Sequence, residues 1–289
     1  MLTVTKRRGG IDIIVDALKR QTFTGSWEWI LVDELFNERN KEVQDFVKSQ
    51  NLTAQFTHIP PKTPTPKRKF GLCNAINSAF LQSRGELLVS IQDFIWVEPT
   101  CLDRYWKAYD AFPNRLIGGL KNHYSGPPAT NLQGLVSIWD TPWEGDPAVK
   151  CKLTERDDRY KSIHAEPEAV LVESLPIVYE MCNASMPYTL TCALNGVDES
   201  YDSGRSYDNQ NISFRAQGLG YATVIDMYNI AREFNHWEYF GVEDKVSSKS
   251  LNNRPHPDTN YELHGRLMQA IQRGDYPLRA PNNFELGPR

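Results

Sequence analysis

Two kinds of acidic residue in this chain have the type and placement to do chemistry: acids that end apolar runs, and an acid that opens a helix. The run Glu86-Leu87-Leu88-Val89-Ser90-Ile91 ends at Gln92-Asp93, and Trp27 to Val32 ends at Asp33-Glu34. A carboxylate at the end of a buried strand can present a hard cation such as Mg2+ or Mn2+, which takes oxygen ligands and keeps contact with substrate phosphates. The alternative for Asp93 is a cap on the turn toward Pro99. Further along, Asn195-Gly196-Val197-Asp198-Glu199 forms an acidic turn, and Tyr207-Asp208-Asn209 opens a helical stretch. Asp208 suits a general base that takes a proton from an acceptor hydroxyl. The helix dipole alone also favours an acid there, with no chemical role.

Such acids need a frame that brings them together. Residues 2–5 are β-prone, and Ile11 to Lys19 carries apolar residues at 11, 14, 15 and 18, the spacing of an amphipathic helix. The run from Trp27 to Val32 reads as a buried parallel strand, Asn40 to Ser49 as a helix and Ala54 to Ile59 as a short strand. The prolines at 60, 61, 64 and 66 make a loop. A helix over 71–82 and the strand Glu86 to Ile91 complete an alternation that predicts a parallel sheet with right-handed crossovers. Ligands of such open sheets sit at the carboxyl ends of the strands, where Asp33 and Asp93 fall. The segment 119–170 reads as irregular, 206–219 as a helix and 221–225 as a short strand. From about 245 the chain is polar and proline-rich, a composition that predicts a tail wrapped on the domain.

With 289 residues the chain can bury one sizeable core. A formal net charge of −4 gives no bulk attraction to nucleic acid or anionic membrane. The five cysteines are odd in number and form no CxxC pair, which favours free thiols in a reducing compartment. No apolar run approaches the roughly 20 residues that span a bilayer, and the first ten residues carry no signal-peptide pattern. The expectation is a cytoplasmic protein without stable membrane insertion.

Several of these segments together resemble glycosyltransferase family 2. Thr3-Val4-Thr5, then Leu18-Lys19-Arg20-Gln21-Thr22, then Ile30-Leu31-Val32-Asp33-Glu34 is similar to the family's opening strand, its helix ending in a Q-T element and its Asp-terminated strand. Gly71 to Asn77 with Arg84-Gly85-Glu86 resembles the A-x-N helix and the G-E turn after it. Asn195 to Glu199 resembles the G-G-F-D-E element, and Asp208 to Arg215 the E-D-x-D-L-x-x-R helix. The resemblance covers about residues 2–225. It implies an α/β GT-A fold: a Rossmann-like, mixed and mainly parallel sheet flanked by helices, with an irregular C-terminal extension. The implied domain spans residues 1–240, with a nucleotide-binding half over 1–100, an acceptor-binding half over 101–240 and an extension over 241–289 packed on it.

The resemblance also implies roles. Thr3 and Thr5 lie beside the nucleoside and Asp33 binds its base or ribose. Asn74 and Asn77 belong to a helix that contacts the donor, with Lys69 just before it, and Gln92 sits beside Asp93. Asp93 holds the Mn2+ or Mg2+ that bridges the donor diphosphate, and Asp208 is the catalytic base of an inverting transfer from a nucleotide-sugar, a UDP-sugar being favoured. The chain departs from the family at two points. It has Gln92-Asp93-Phe94 in place of Asp-x-Asp, and Asp208-Asn209 in place of the acidic pair. The second departure leaves Asp198 as an alternative base. The first leaves room for a late histidine, His236, as a further metal ligand.

Other features stay open. Lys67-Arg68-Lys69 is a solvated loop or a phosphate contact, Trp139 and Trp143 are sugar-stacking or packing residues, and Gly118 to His123 ends a strand near the donor sugar. The acceptor is a saccharide, a glycan or a modified nucleic-acid base. Competing readings are an inactive nucleotide-sugar- or glycan-binding module, prompted by the missing carboxylates, and a nucleotidyltransferase, which shares the strand-acid architecture but whose Gly-rich, basic signature is only faintly resembled by Lys6-Arg7-Arg8-Gly9-Gly10.

Overall fold

The computed structural model describes residues 1–63, 71–157, 159, 170–204, 207–236, 239, 260–275 and 277–288. The amino-terminal half alternates as expected. Strands β1 (Leu2–Thr5), β2 (Glu28–Asp33), β3 (Gln55–Ile59) and β4 (Leu87–Ile91) are joined by helices α1 (Ile11–Lys19), α2 (Phe36–Ser49) and α3 (Leu72–Gln82). All four strands are parallel, with β1 between β2 and β4. Both faces of this part are covered, as an all-parallel sheet requires. Trp29 and Leu31 of β2 pack with Ile11, Ile14, Val43 and Val47 of α1 and α2, while Ile30 and Val32 pack with Ala75, Ile76 and Phe80 of α3.

The second half adds β5 (Ile95–Trp96), α4 (Cys101–Ala111), β6 (Arg115–Ser125), a one-turn α5 (Pro147–Lys150), β7 (Lys152–Glu155) and β8 (Leu171–Ser174). It continues with β9 (Asn183–Pro187), α6 (Tyr188–Leu194), α7 (Asp208–Gly218) and β10 (Ala222–Phe234), and α8 (Tyr261–Arg273) follows. Strand β9 runs antiparallel between β4 and β6, so the sheet is mixed. Its order is β3-β2-β1-β4-β9-β6-β10-β5, with β7 on β6 and β8 on β10.

Several segments differ from the sequence reading. Helix α2 starts at Phe36 rather than Asn40, because the Leu35 carbonyl accepts from the amides of Glu38 and Arg39. Residues expected to be irregular from 119 onward begin inside β6. There Gly119 allows close approach: a Cβ would lie 2.3 Å from Asn183 and 2.4 Å from the Asn229 carbonyl. The short strand expected at 221–225 is the start of β10, which runs to Phe234 with a register shift between Asp226 and Ile230.

The irregular stretch after β6 is pinned by α1. Asp12 accepts from the Trp143 amide at 2.6 Å, and Asp16 accepts from the Gly145 amide at 3.0 Å and the Trp96 indole at 2.8 Å. Trp139 and Trp143 pack on Phe234, so both are core residues. The five cysteines are free thiols.

The described part of the tail gathers around one turn. Asn195 holds it by donating from Nδ2 to the Ala280 and Phe284 carbonyls and accepting from the Leu286 amide. Helix α8, which the sequence reading did not separate from the polar tail, buries Leu267 in the same core as α7. Beneath both lies Arg215, whose guanidinium is fully buried and donates to the Leu194, Gly196 and Leu278 carbonyls and to Asn211. Removing that hub strands buried acceptors on three segments at once. Arg215→Met is expected to lower unfolding free energy by about 3 kcal/mol in a denaturant titration.

Candidate functional site

The carboxyl ends of β1 and β4 and the start of α3 enclose a cleft of about 160 Å³ whose lining includes Thr5, Lys6, Arg7, Gly71, Gln92 and Asp93. Asp93 is its buried acid, and its oxygens are shared. Oδ2 accepts from Thr5 Oγ1 at 2.8 Å and Arg7 Nε at 3.0 Å, and Oδ1 accepts from Arg7 Nη2 at 2.5 Å. The next residue, Phe94, has φ +58°. That conformation is rare for a bulky side chain and collects at functional corners. The corner closes onto Gly10, whose φ is +76° and where a Cβ would sit 2.8 Å from the Phe94 ring. Gln92 joins the corner through its backbone, its amide donating to the Cys182 carbonyl at 3.1 Å.

Other residues expected at the donor face inward. Asp33 is wholly buried. It accepts from Arg39 Nε at 2.6 Å, Arg39 Nη2 at 2.9 Å and the Leu35 amide at 2.8 Å, and it pairs with His58 Nε2 at 2.9 Å. Burial pushes its carboxyl up, but His58 and Arg39 outweigh that and hold it below the usual carboxylate value. Thr3 accepts from the Trp29 indole in the core. Asn77 clamps the acidic turn, donating to the Val197 carbonyl and Glu199 and accepting from the Val197 amide. Asn74 donates to the Thr63 carbonyl at 2.5 Å, and its buried Oδ1 has no partner. Lys69, with Lys67 and Arg68, lies outside the described residues.

Asp208 opens α7, preceded by Tyr207 at φ +69°. It is buried, and its Oδ2 has no hydrogen-bond partner. Burial pushes its carboxyl up to about 6; its own amide opposes the rise and the charge of Glu180 adds to it. Asp198 has a different setting. It caps the short 3-10 turn Glu199–Ser203, accepting from the Ser200 amide at 3.0 Å and the Ser200 hydroxyl at 2.7 Å.

The two acids of interest are linked by the entry to β9. The Met181 amide donates to Asn209 Oδ1 at 3.0 Å, and the Cys182 carbonyl accepts from Gln92. One dipeptide therefore touches the residue after Asp208 and the residue before Asp93. Beside it lies a charged group that sequence reasoning missed. Lys121 Nζ is 2.7 Å from Glu233 and 3.9 Å from Glu180, with Arg159 on the other side of Glu180. Burial raises the Glu233 carboxyl, but Lys121, His236 and His123 together bring it down to about 2. Asp202 was also missed: it accepts from the Cys73 and Asn74 amides at the start of α3, and burial raises it to about 6. The only sequence signal for these groups is the presence of charge inside apolar strands, on Lys121 and Glu233.

A divalent cation at Asp93 and His236 does not fit these donors. Arg7 and Thr5 hold the Asp93 carboxylate, and His236 Nδ1 faces Glu233 at 3.4 Å. Among the described residues no three His, Cys, Asp or Glu side chains group so as to hold a metal ion. No helix among them is long and apolar enough to cross a membrane. A groove of about 400 Å³ lies among Met1, Trp27 and Trp106, at the amino ends of the strands and away from the edge where such sheets bind ligands.

Sheet order, antiparallel β9 and the cleft at the ends of β1 and β4 can be set beside solved structures. Staphylococcus aureus TarS residues 1–349 with UDP superposes at TM-score 0.52 and 11% identity, covering 83% of this chain and 62% of that one. The same protein with UDP-GlcNAc gives 0.53 and 12%, covering 81% and 58%. GalNAc-T7 with UDP, GalNAc and Mn2+ gives 0.62 and 12%, covering 95% and 50%. The chain has the GT-A fold. It spans between half and about three fifths of the length of these chains. No family model matches the sequence, and no curated protein matches it. A GT-A fold carries the sheet and the cleft; its chemistry is argued from the site.

The raised Asp208 carboxyl has a consequence independent of any ligand. Its folded value, about 6, lies above the unfolded one near 3.8, so folding favours its protonated form. The stability this group contributes is present below the unfolded value and lost as pH rises through the folded one. Asp208→Asn removes that loss. Its melting temperature should match that of the unaltered chain near pH 4 and exceed it above pH 6, by a margin equivalent to about 2 kcal/mol. Equal melting curves at both pH values would show that the carboxyl is not held protonated by burial.

Proposed function

We propose that this chain transfers a sugar from a nucleoside diphosphate sugar, a UDP-sugar by preference, to an acceptor hydroxyl. The observation that carries the reading is Asp208: a buried carboxylate with an unpartnered oxygen, joined through one dipeptide to the strand-end cleft of a GT-A fold. TarS solved with UDP and UDP-GlcNAc, and GalNAc-T7 solved with UDP and GalNAc, support this class of donor.

Asp208 Oδ2 accepts the proton of the acceptor hydroxyl. The acceptor oxygen forms a bond to the anomeric carbon while the bond from that carbon to the β-phosphate oxygen breaks, and its electron pair leaves with the diphosphate. A single displacement of this kind needs one base and inverts the anomeric centre. A carboxyl raised to about 6 is ionised at neutral pH yet more basic than a solvated aspartate, which suits a general base. Thr5, Lys6, Arg7 and Gln92 wall the donor cleft. Asp33, Asn77 and Thr3 act as positioning residues behind it, and Asp198 shapes the acidic turn. A Mn2+ or Mg2+ ion, which would supply positive charge to the departing diphosphate, has no ready donor set among the described residues, and no step depends on one.

Transfer or hydrolysis of UDP-sugars, followed by released UDP, tests the proposal. The rate should rise with pH through about 6 and level off above it. Asp208→Asn should lower kcat by roughly 10²- to 10⁴-fold with little change in UDP affinity. Full activity in Asp208→Asn would remove Asp208 as the base. Tight UDP binding with no turnover of any UDP-sugar would favour an inactive binding module, and release of pyrophosphate a nucleotidyltransferase.

A further inference from the structure

We infer that the Arg7 guanidinium takes, in this chain, the place at Asp93 where a divalent cation would sit, and clamps the donor diphosphate without metal. The inference rests on the nucleotide-sugar reading above and names the group that neutralises its leaving phosphate.

Three observations converge on it. The first is the donor set. Both Asp93 oxygens are engaged by Arg7 in a fork, Nε to Oδ2 at 3.0 Å and Nη2 to Oδ1 at 2.5 Å, with Thr5 adding a third bond. An ion seeking Asp93 must first displace a guanidinium whose planar fork matches a carboxylate. The second carboxylate of an Asp-x-Asp pair is absent, since Ile91 and Ile95 stand two residues to either side of Asp93. His236 is turned to Glu233, itself paired with Lys121.

The second observation is placement. Arg7 follows β1 directly and lines the cleft, with its side chain 22% exposed. It lies over the Phe94 ring at 5.6 Å, so the strained corner supports the cation from below. Its loop is held from both sides: the Gly9 amide donates to the Leu135 carbonyl, and Arg8 bonds to Glu38 and the Gln133 carbonyl. Asp93 thus orients the guanidinium as a carboxylate orients a catalytic cation.

The third is charge. The diphosphate of a nucleotide sugar carries two negative charges, and a third develops as the bond to the anomeric carbon breaks. A guanidinium stays charged at any working pH and presents N–H donors along its rim. Lys6, on the same cleft wall, adds a second cation, and Glu34 is the one further carboxylate of that lining besides Asp93. The electron pair that leaves with the β-phosphate oxygen meets positive charge already in place, the proton goes to Asp208, and the balance closes with no further co-reactant.

The test measures UDP binding to the full chain by calorimetry, in chelator and in excess Mn2+. UDP is expected to bind in chelator, with a Kd within about threefold of that in Mn2+. Arg7→Met should weaken binding in chelator by about tenfold or more, with Arg7→Lys in between. Because Arg7→Met leaves Asp93 buried and unpaired, the double variant Arg7→Met/Asp93→Asn serves as the folded control, and it should lose UDP binding equally. UDP binding that appears only with Mn2+, or that survives unchanged in either Arg7→Met variant, overturns the guanidinium clamp and leaves the nucleotide-sugar reading intact. Failure of UDP, GDP, ADP and CDP to bind with or without Mn2+ overturns the donor reading itself, and the clamp with it.

Discussion

The geometry of the cleft depends on the ion pair between Asp33 and Arg39, in which neither side chain reaches solvent. Asp33 ends β2, and Arg39 belongs to the first turns of α2. Beyond the carboxylate, Arg39 Nη1 donates to the Leu135 carbonyl at 2.7 Å, and that carbonyl also accepts from the Gly9 amide. The next carbonyl, Val136, accepts from the Ile11 amide that opens α1. A buried charge on one strand end therefore fixes, through two carbonyls of a distant loop, the turn that carries Lys6 and Arg7. Losing one partner of such a pair typically costs about 3 to 5 kcal/mol, because the other charge is left buried and unpaired. Here the loss would also release the loop that aims Arg7 at Asp93.

This arrangement explains which parts of the molecule were legible in the sequence. The parallel strands β2 and β4 were readable because burial on both faces turns them into apolar runs, and the acids at their ends stood out; β1 was readable from its β-prone Leu-Thr-Val-Thr. Strand β9 and α6 were not separable, since Asn183 to Leu194 passes from strand to helix with only Pro187 between them. Strand β6 was read only at its end, Gly118 to His123, because Gly118 and Gly119 weaken its pattern; their small size answers to Asn183, Ile225 and the Asn229 carbonyl on neighbouring strands. Helix α8 hid in a tail whose prolines suggested a wrap, though its apolar residues keep helical spacing toward Leu267.

For the site, the positions were legible and several of the partners were not. Asp33 and Asn77 were singled out as donor contacts by the resemblance to glycosyltransferase family 2. Local spacing cannot show that Arg39 folds back over one of them, or that the turn at Val197 closes on the other. Lys121, Glu180 and Glu233 come from three separate segments and meet only when β9 inserts between β4 and β6. Their charges still matter to the chemistry. Lys121 and Arg159 pull Glu180 down against the rise that burial imposes, so it stays ionised, and its charge adds to the rise at Asp208.

Asp93 and Asp208 are the same side chain placed in opposite surroundings, and that contrast divides their work. Asp93 sits under a guanidinium and a hydroxyl, so its charge is spent on holding a cation in position. Asp208 has burial, an unpartnered oxygen and the nearby charge of Glu180, all of which raise its affinity for a proton. Of the four non-glycine residues with positive φ among the described residues, Asn51 and Asn195 lie elsewhere, while the two aromatic ones flank these acids, Phe94 after Asp93 and Tyr207 before Asp208. Each aims an acid that ordinary backbone would turn elsewhere. The dipeptide Met181-Cys182 ties these two corners together, its Cys182 carbonyl holding the Gln92 amide and its Met181 amide holding the Asn209 side chain.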